Sequence, residues 1–173
     1  MAKLKRLILD NIPILSVLFT TLLIVIIIIF KPSNSQSTQE SNSYDTSNFN
    51  IISTKEAIGL FENSNSQVLV ICRSTCSACA SFVPTLNSVS KMYKVKINYL
   101  DLETMDLDGN DTKNLKKLLD FEYTYDDKTA SFSEFIGLTP MFIILKNKEM
   151  VYGYIGTMNL SVVKTILENY EVI

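Results

Sequence analysis

An uncharged apolar stretch near the amino end stands apart from the rest of this sequence. Residues 12–30 carry no charged side chain. As a helix rising about 1.5 Å per residue they would extend about 28 Å, close to the ~30 Å hydrocarbon core of a bilayer. We therefore expect a transmembrane helix over residues 12–30. Basic residues are more frequent before this stretch than directly after it, so residues 1–11 should form a basic cytoplasmic end.

A cleaved secretory signal is the competing interpretation of residues 12–30. The apolar region of such a signal usually spans ~7–15 residues and ends in a small-residue cleavage site. Here the stretch is longer, and the residues after Phe30 offer no Ala-x-Ala pattern. The sequence favours an uncleaved, single-pass anchor that contacts membrane lipid through residues 12–30. We expect everything after Lys31 to lie on the extracytoplasmic side of the cell membrane.

A polar segment separates this anchor from the remainder. Residues 31–48 are rich in Ser, Asn, Thr and Gln and nearly free of aliphatic side chains. A segment of this composition cannot bury enough apolar surface to offset the entropy lost on ordering. We predict a disordered linker over residues 31–48 and one folded domain over residues 49–173.

Hydrophobic periodicity within residues 49–173 predicts alternating helices and strands. The predicted elements, in chain order, are a helix opened by a capping box at 53–56, a strand at 67–72, a helix after Cys79, a strand at 95–102, a helix at 111–121, a short helix at 131–136, a hairpin at 141–145 and 150–155, and a last helix whose apolar face begins at Leu160. This order indicates an α/β fold in which a mixed central sheet is flanked by helices.

Composition narrows the chemistry that this domain can perform. The chain contains no histidine and three cysteines, which excludes a Ser-His-Asp triad, a Cys-His protease pair and a His-based zinc site. Acidic residues outnumber basic ones after the linker, so nucleic acid has no basic surface to bind. No flavin or nicotinamide motif is present, and we expect no cofactor.

Two cysteines lie where the strand 67–72 gives way to a helix. The spacing Cys76-x-x-Cys79 places the second sulfur one helical turn after the first. Unpaired N–H groups and the positive end of the helix dipole would stabilise a thiolate at Cys76. Cys79 could reach back and close a disulfide. Cys76 is the candidate nucleophile and Cys79 the candidate resolving thiol of a thiol–disulfide oxidoreductase that uses no metal.

Residues 49–173 resemble the thioredoxin family in several features that occur in register. These features are the strand Val68–Cys72, the Cys76–Cys79 pair that opens a helix, Pro84 five residues later, Thr139-Pro140 before a strand, and Gly156 at the end of the hairpin. The resemblance implies a thioredoxin-like fold, with a cis bond before Pro140 beside the cysteines. It also implies that the backbone of Thr139 pairs with an extended substrate, and it places Thr75 next to that substrate.

The chain also departs from the thioredoxin pattern. Ser77-Ala78 replaces the usual Gly-Pro between the cysteines, and Val70 stands where thioredoxins carry a buried acid that assists proton transfer from the resolving thiol. Residues 103–130 form an insertion relative to a minimal thioredoxin. Membrane-anchored thioredoxin-like proteins of Gram-positive bacteria, including those that accompany bacteriocin export, look similar around residues 71–76 and 82–86. Outside the membrane, the expected partners are a cysteine-containing exported polypeptide and a membrane-embedded redox partner.

Other interpretations of the cysteines and the acidic loop are weaker. Cys72 is either a small core hydrophobe or a redox accessory that competes for a disulfide. The spacing Cys72-x3-Cys76-x2-Cys79 matches the iron–sulfur motif of radical S-adenosylmethionine enzymes, but this domain is small and has no aromatic residue at position 78. A structural zinc site would lack a fourth soft ligand. Residues 106–111 do not match an EF-hand loop and indicate a solvated loop.

The aromatic residues near the insertion, Arg73 and the function of the domain each have more than one interpretation. Tyr123, Tyr125 and Phe132 either line a substrate groove or pack the insertion on the core, and the second role is favoured. Arg73 either tunes Cys76 or is a surface charge. The alternative function is a non-catalytic accessory module of a secretion or peptide-export system, which the missing acid at position 70 favours. A thiol peroxidase would need a peroxide-binding Thr or Arg arrangement that the sequence does not establish.

Overall fold

The structure is a computed structural model that describes residues 44–173. Two neighbouring strands, Gln67–Cys72 and Met141–Lys146, are largely apolar, and nearly every residue of each is buried. The strands of the described range are β1 (Asn50–Ile52), β2 (Gln67–Cys72), β3 (Ile97–Asp101), β4 (Glu122–Tyr125), β5 (Lys128–Ser131), β6 (Met141–Lys146) and β7 (Glu149–Ile155).

Four α-helices of this range connect or flank these strands. They are α1 (Thr54–Gly59), α2 (Ser77–Tyr93), α3 (Asn110–Leu118) and α4 (Leu160–Asn169). Short 3-10 turns lie at Leu60–Glu62, Leu102–Thr104 and Phe132–Phe135. The capping box predicted for α1 is present, since Ser53 and Glu56 exchange hydrogen bonds in both directions.

The main sheet is mixed and has the strand order β1-β3-β2-β6-β7. Strands β1 and β2 run parallel to β3, whereas β6 runs antiparallel to both β2 and β7. The register pairs Cys72 with Asp101 and Ile71 with Met141. The carboxyl end of β2 therefore lies beside the amino end of β6, which places the segments after Cys72 and before Met141 next to each other.

The alternation of side chains along β2 produces two core layers. Val68, Val70 and Cys72 face the layer that contains the buried residues of α2 and α4. Leu69 and Ile71 face the opposite layer, together with buried residues of α1, α3 and the 3-10 turn Phe132–Phe135. The predicted α/β fold with a mixed sheet flanked by helices is confirmed.

Two parts of the structure were not predicted from the sequence. Strand β1 is three residues long and lies at the sheet edge. Strands β4 and β5 form a separate two-stranded hairpin inside the predicted insertion 103–130, with Asp126 and Asp127 in its turn at φ angles of 50° and 63°. Its strands are mostly exposed and so lack the alternating apolar pattern of a half-buried strand.

Several predicted boundaries and core positions differ from the structure. The strand predicted at 95–102 covers Ile97–Asp101, the helix predicted at 111–121 is α3, and the short helix at 131–136 is a 3-10 turn. Helical spacing of the apolar residues places Met92 and Leu118 on buried faces, but they are 58% and 37% exposed. Leu118 lies beside the stripe formed by the buried residues Leu115 and Leu119, which are four positions apart, and Met92 lies in the last turn of its helix.

The predicted linker 31–48 ends earlier than expected. Tyr44 forms a hydrogen bond of 2.6 Å with the Tyr99 hydroxyl, and the side-chain amide of Asn87 donates to the carbonyl of Asp45. Residues 44–48 therefore lie against the domain. The predicted transmembrane helix 12–30 and the cytoplasmic end 1–11 lie outside the described residues. Within residues 44–173, no helix combines the length and the apolar character that crossing a bilayer requires.

Gly153 on β7 should be intolerant of a side chain because the 3-10 turn Phe132–Phe135 packs directly on it. A Cβ atom there would lie 2.8 Å from Cε2 of Phe132 and would also clash with the end of Met150. We expect Gly153→Ala to destabilise the chain by about 1–3 kcal/mol through overpacking, measured by chemical denaturation.

The matched control for this prediction is Gly59→Ala at the end of α1. Gly59 has a φ angle of −61°, and a Cβ atom there meets nothing within 4 Å. This substitution should be neutral or stabilise the chain by about 0.4–1 kcal/mol. Equal effects of the two substitutions would contradict the packing described for β7.

Candidate active site

The nucleophile candidate lies where β2 ends and α2 begins. The Cys76 amide donates to the carbonyl of Arg73, which forms the turn between the two elements. Cys76 is the N-cap residue of α2, and its Sγ accepts the N–H of Cys79 at 3.2 Å. This contact gives the sulfur one of the otherwise unpaired donors at the helix start. The Cys76 sulfur therefore lies at the start of the helix that follows the strand, and its role as the attacking thiolate stays a prediction.

The loop before β6 closes the other side of Cys76. The peptide bond between Thr139 and Pro140 is cis, as the resemblance implies. The thiol of Cys76 donates to the carbonyl of Thr139 at 3.3 Å. Cys76 is 9% exposed, while Cys79 is completely buried. Only the first cysteine of the pair is therefore open to a reaction partner.

Three sulfur atoms share one buried cluster. Cys72, Cys76 and Cys79 are all free thiols that lie in the layer between the sheet and α2. The neighbouring Cys72 thiol is the largest cause that lowers the pKa of Cys79 to about 6, acting as a hydrogen-bond donor. Desolvation of Cys79 opposes the shift, and contacts with Cys76, Arg73 and Thr139 add to it.

Cys72 serves as the partner in this contact because it stays protonated. Its hydrogen bond to Cys79, followed by burial, raises the pKa of Cys72 far above the ordinary range. Val70, two residues earlier on the same face of β2, is fully buried and offers no proton acceptor. A neutral thiol donor thus lies beside the resolving cysteine, and the side chain at position 70 supplies no carboxylate there.

The hydroxyl of Thr139 is a second group poised beside Cys79. Its Oγ1 is buried and has no hydrogen-bond partner among the described residues. An unpaired buried hydroxyl costs about 1–3 kcal/mol. The same hydroxyl helps to lower the pKa of Cys79. The Thr139 hydroxyl is therefore a free donor near Cys79 in the reduced site.

Glu103 holds the loop that precedes Cys76, a role that the sequence did not predict. Its carboxylate accepts the hydroxyl of Ser74 at 2.6 Å and that of Thr75 at 2.9 Å. These hydrogen bonds, the first from Ser74, lower the pKa of Glu103, and the charge of Arg73 adds to the effect. The side chain of Thr75, predicted to contact substrate, is thus occupied by Glu103. Arg73 is exposed and faces the same carboxylate.

The structure brings four of the five predicted site residues together. Cys76, Cys79, Thr139 and Pro140 form one cluster, while the hydroxyl of Thr75 points to Glu103. Glu103 could have been found from the topology, since parallel β2 and β3 end side by side. No group of His, Cys, Asp or Glu within residues 44–173 is arranged to hold a metal ion.

The sequence leaves two roles open for Tyr123, Tyr125 and Phe132: packing of the insertion on the core, or lining of a substrate groove. Phe132 is fully buried and stacks edge-on against Tyr123 with ring centroids 5.0 Å apart. The hydroxyl of Tyr123 accepts the amide N–H of Ile155 on edge strand β7. These two residues pack the insertion on the sheet. Tyr125 instead remains 37% exposed.

Comparison with solved structures identifies the fold. A chain in a structure from work on the thiol resolving mechanism in yeast mitochondrial 1-Cys peroxiredoxin via glutathione/thioredoxin systems matches with a TM-score of 0.51. It is 13% identical, and the match covers 73% of this chain and 99% of that one. Thioredoxin from Plasmodium falciparum matches with a TM-score of 0.49 and 20% identity, over 70% of this chain and 98% of that one. Thioredoxin from Fasciola hepatica matches at 0.48 and 13%, over 70% and 99%.

The match with a TM-score of 0.51, together with the strand order of the main sheet and the cis bond before Pro140, shows that the fold of residues 44–173 is thioredoxin-like, as the sequence resemblance implies. No protein-family model matches the chain. No curated protein matches it either.

Removing the sulfur of Cys72 should raise the pKa of Cys79. We expect Cys72→Val, in a Cys76→Ser background, to shift this pKa from about 6 toward the ordinary thiol value of about 8.5. The ultraviolet absorbance of the thiolate, followed against pH, measures it. Cys72→Ser keeps a donor and should give a smaller rise. An unchanged titration in Cys72→Val would contradict the role assigned to Cys72.

The same pKa makes the stability of the reduced protein depend on pH. The pKa of Cys79 in the folded chain, about 6, lies below the ordinary thiol pKa of about 8.5 that applies to the unfolded chain. The unfolded chain therefore binds more protons between these values, and stability rises with pH across this window. The contribution is fully present above the unfolded pKa and is lost as the pH falls through about 6.

Proposed function

We propose that the chain is a thiol–disulfide oxidoreductase, tethered to the membrane, that acts outside it on cysteines of exported polypeptides. One observation carries the catalytic part of this proposal. The Cys76 sulfur lies at a helix start, accepts the Cys79 amide and contacts the Thr139 carbonyl beside Pro140. This arrangement presents one accessible sulfur, backed by a second buried one.

The first chemical step is an attack by the Cys76 thiolate on a substrate disulfide. A bond forms between Cys76 Sγ and one substrate sulfur, and the substrate disulfide breaks. The other substrate sulfur leaves as a thiolate and takes up a proton. The amide of Cys79, which donates to Cys76 Sγ at 3.2 Å, stabilises the attacking thiolate.

The second step releases the substrate. The Cys79 thiolate attacks Cys76 Sγ, the mixed disulfide breaks, and the second substrate sulfur leaves as a thiolate. The Cys72 thiol and the Thr139 hydroxyl stabilise the Cys79 thiolate before it attacks. Two electrons pass from the cysteine pair to the substrate, and a membrane-embedded dithiol partner would restore the pair. Run in reverse, the same steps oxidise a substrate dithiol.

A disulfide-reduction assay tests this activity directly. The full-length chain in detergent, with excess dithiothreitol, should accelerate the reduction of insulin above the rate with dithiothreitol alone. Absence of any acceleration would contradict the assignment.

The membrane tether rests on the uncharged residues 12–30 and on the excess of basic residues before them. In cells that express the chain, we expect it to stay in the membrane pellet after alkaline carbonate extraction, and external protease to remove the domain. Deletion of residues 12–30 should release it from the pellet. Extraction of the unaltered chain by carbonate would contradict the tether.

A non-catalytic accessory module of an export system is the second candidate, favoured by Val70 in place of a buried acid. In this case the cysteine pair would not be required for export. Full export by a Cys76→Ser/Cys79→Ser double variant, together with no insulin reduction by the unaltered chain, would support the accessory role.

A further inference from the structure

A cleft lies next to the active site, between the insertion and the loop before β6. Its volume is about 430 Å³, and it is lined by the turn of the β4–β5 hairpin and by residues 134–138. This volume falls in the range of ~300–1,000 Å³ that is typical of small-ligand pockets. The cleft can therefore hold a large side chain but not a folded partner.

The walls of this cleft are largely apolar. Tyr125 and Leu138 are 37% and 40% exposed. The ring of Tyr125 lies 5.9 Å from that of Phe135, which forms part of the lining. Lys128, the basic residue of the lining, is bound to Glu134 at 3.3 Å and lies over the Phe135 ring. Lys128 and Glu134 thus pair their charges at the rim, and Asp126 is the third charged residue of the lining.

One wall of the cleft adjoins, along the chain, the site proposed to bind substrate. Leu138, on its wall, is followed directly by Thr139, whose carbonyl contacts Cys76 Sγ at 3.3 Å. Gly137, also in the lining, has a φ angle of 125°, and a Cβ atom there would meet nothing within 4 Å. An extended peptide advances about 3.3 Å per residue. A substrate whose cysteine meets Cys76 thus reaches the cleft within two or three residues.

We propose that this cleft selects substrates by binding an apolar side chain located two or three residues from the reacting cysteine. The proposal rests on the oxidoreductase function and names the substrate class: a polypeptide with leucine or a similar residue near its cysteine. The exposed leucine and tyrosine gain an apolar contact that water does not provide. The insertion thereby adds a specificity pocket to the thiol chemistry.

Peptide disulfides that differ at one residue test this inference. The probes are mixed disulfides of a cysteine peptide with a thionitrobenzoate group, carrying either leucine or asparagine at the second or third position from the cysteine. For the reduced full-length chain, we expect kcat/KM to be about tenfold higher for the better leucine peptide than for its asparagine counterpart, since transfer of the leucine side chain from water to an apolar cleft is favourable. Equal rates at both positions would overturn the inference.

Substitutions in the cleft test whether the preference for leucine peptides arises there. Leu138→Ser and, separately, Tyr125→Ser should each reduce the leucine-to-asparagine ratio severalfold. Leu107→Ser is the matched control, because Leu107 is 49% exposed and lies outside the cleft. This control should keep the ratio of the unaltered chain. A full ratio in both cleft variants would also overturn the inference.

Failure of the cleft and failure of the proposed function give different results. If the unaltered chain reduces both peptides at equal rates, the oxidoreductase stands and the selective cleft does not. If it reduces neither peptide nor a small disulfide such as oxidised glutathione, the oxidoreductase function itself fails, and the cleft proposal fails with it.

Discussion

Replacing Cys76 by serine should abolish disulfide exchange. A serine hydroxyl is not ionised near neutral pH, so it cannot act as the attacking anion that a thiolate provides. Cys76 is also the cysteine of the pair that retains solvent contact, at 9% exposure. We expect the rate of insulin reduction to fall on the order of 10³-fold or more, to the rate of dithiothreitol alone.

The control for this experiment separates chemistry from folding. Serine is nearly isosteric with cysteine and can keep both contacts of position 76, with the Cys79 amide and the Thr139 carbonyl. The circular dichroism spectrum of Cys76→Ser should therefore match that of the unaltered chain. Undiminished activity in a folded Cys76→Ser chain would remove Cys76 as the nucleophile.

Replacing Cys79 by alanine should trap the reaction halfway. Cys76 can still attack a substrate disulfide, but no adjacent thiol then displaces the substrate. We expect a covalent complex between Cys76 and the substrate that resists dilution, is visible on a non-reducing gel and disappears on reduction. In cells, the same trap would capture the exported polypeptides that the chain acts on.

Two further variants make this result specific. A Cys76→Ser/Cys79→Ala chain should trap nothing. Because Cys72 is completely buried, we do not expect it to displace the substrate. A Cys72→Ala/Cys79→Ala chain should therefore trap as much substrate as Cys79→Ala. A larger yield in that chain would show that Cys72 resolves the mixed disulfide. Turnover of Cys79→Ala at the unaltered rate would contradict the assigned role of Cys79.

The elements that could be predicted from the sequence are those whose signal is local. Two such elements occur as expected: the capping box at Ser53 and Glu56, and the strand Gln67–Cys72 with its apolar run Val68–Cys72. Both depend only on residues that are neighbours in the sequence. The hairpin β4–β5 gives no such signal, because most of its side chains face solvent and its turn is Asp126-Asp127. Its stability comes from buried contacts such as that between Phe132 and Tyr123.

In the candidate site, too, the sequence predicted some contacts and missed others. The Cys76–Cys79 pair is adjacent in sequence, and its meeting with Thr139 was expected from the thioredoxin resemblance. The contact of Glu103 with Ser74 and Thr75 joins residues 28 or 29 positions apart. It depends on β2 and β3 being neighbours, which one sequence does not reveal. The direction of Cys72 toward Cys79 also needs the register of β2 against α2.

The reduction potential of the Cys76–Cys79 couple tests the central claim most directly. The full-length chain is equilibrated with glutathione or dithiothreitol buffers, and its free thiols are then trapped and counted. We predict a reversible two-electron transition between about −270 mV and about −120 mV, the range of characterised thioredoxin-fold oxidoreductases, that is lost in Cys76→Ser. A pair that forms no disulfide, or one that stays oxidised below roughly −300 mV as structural disulfides do, would contradict the account.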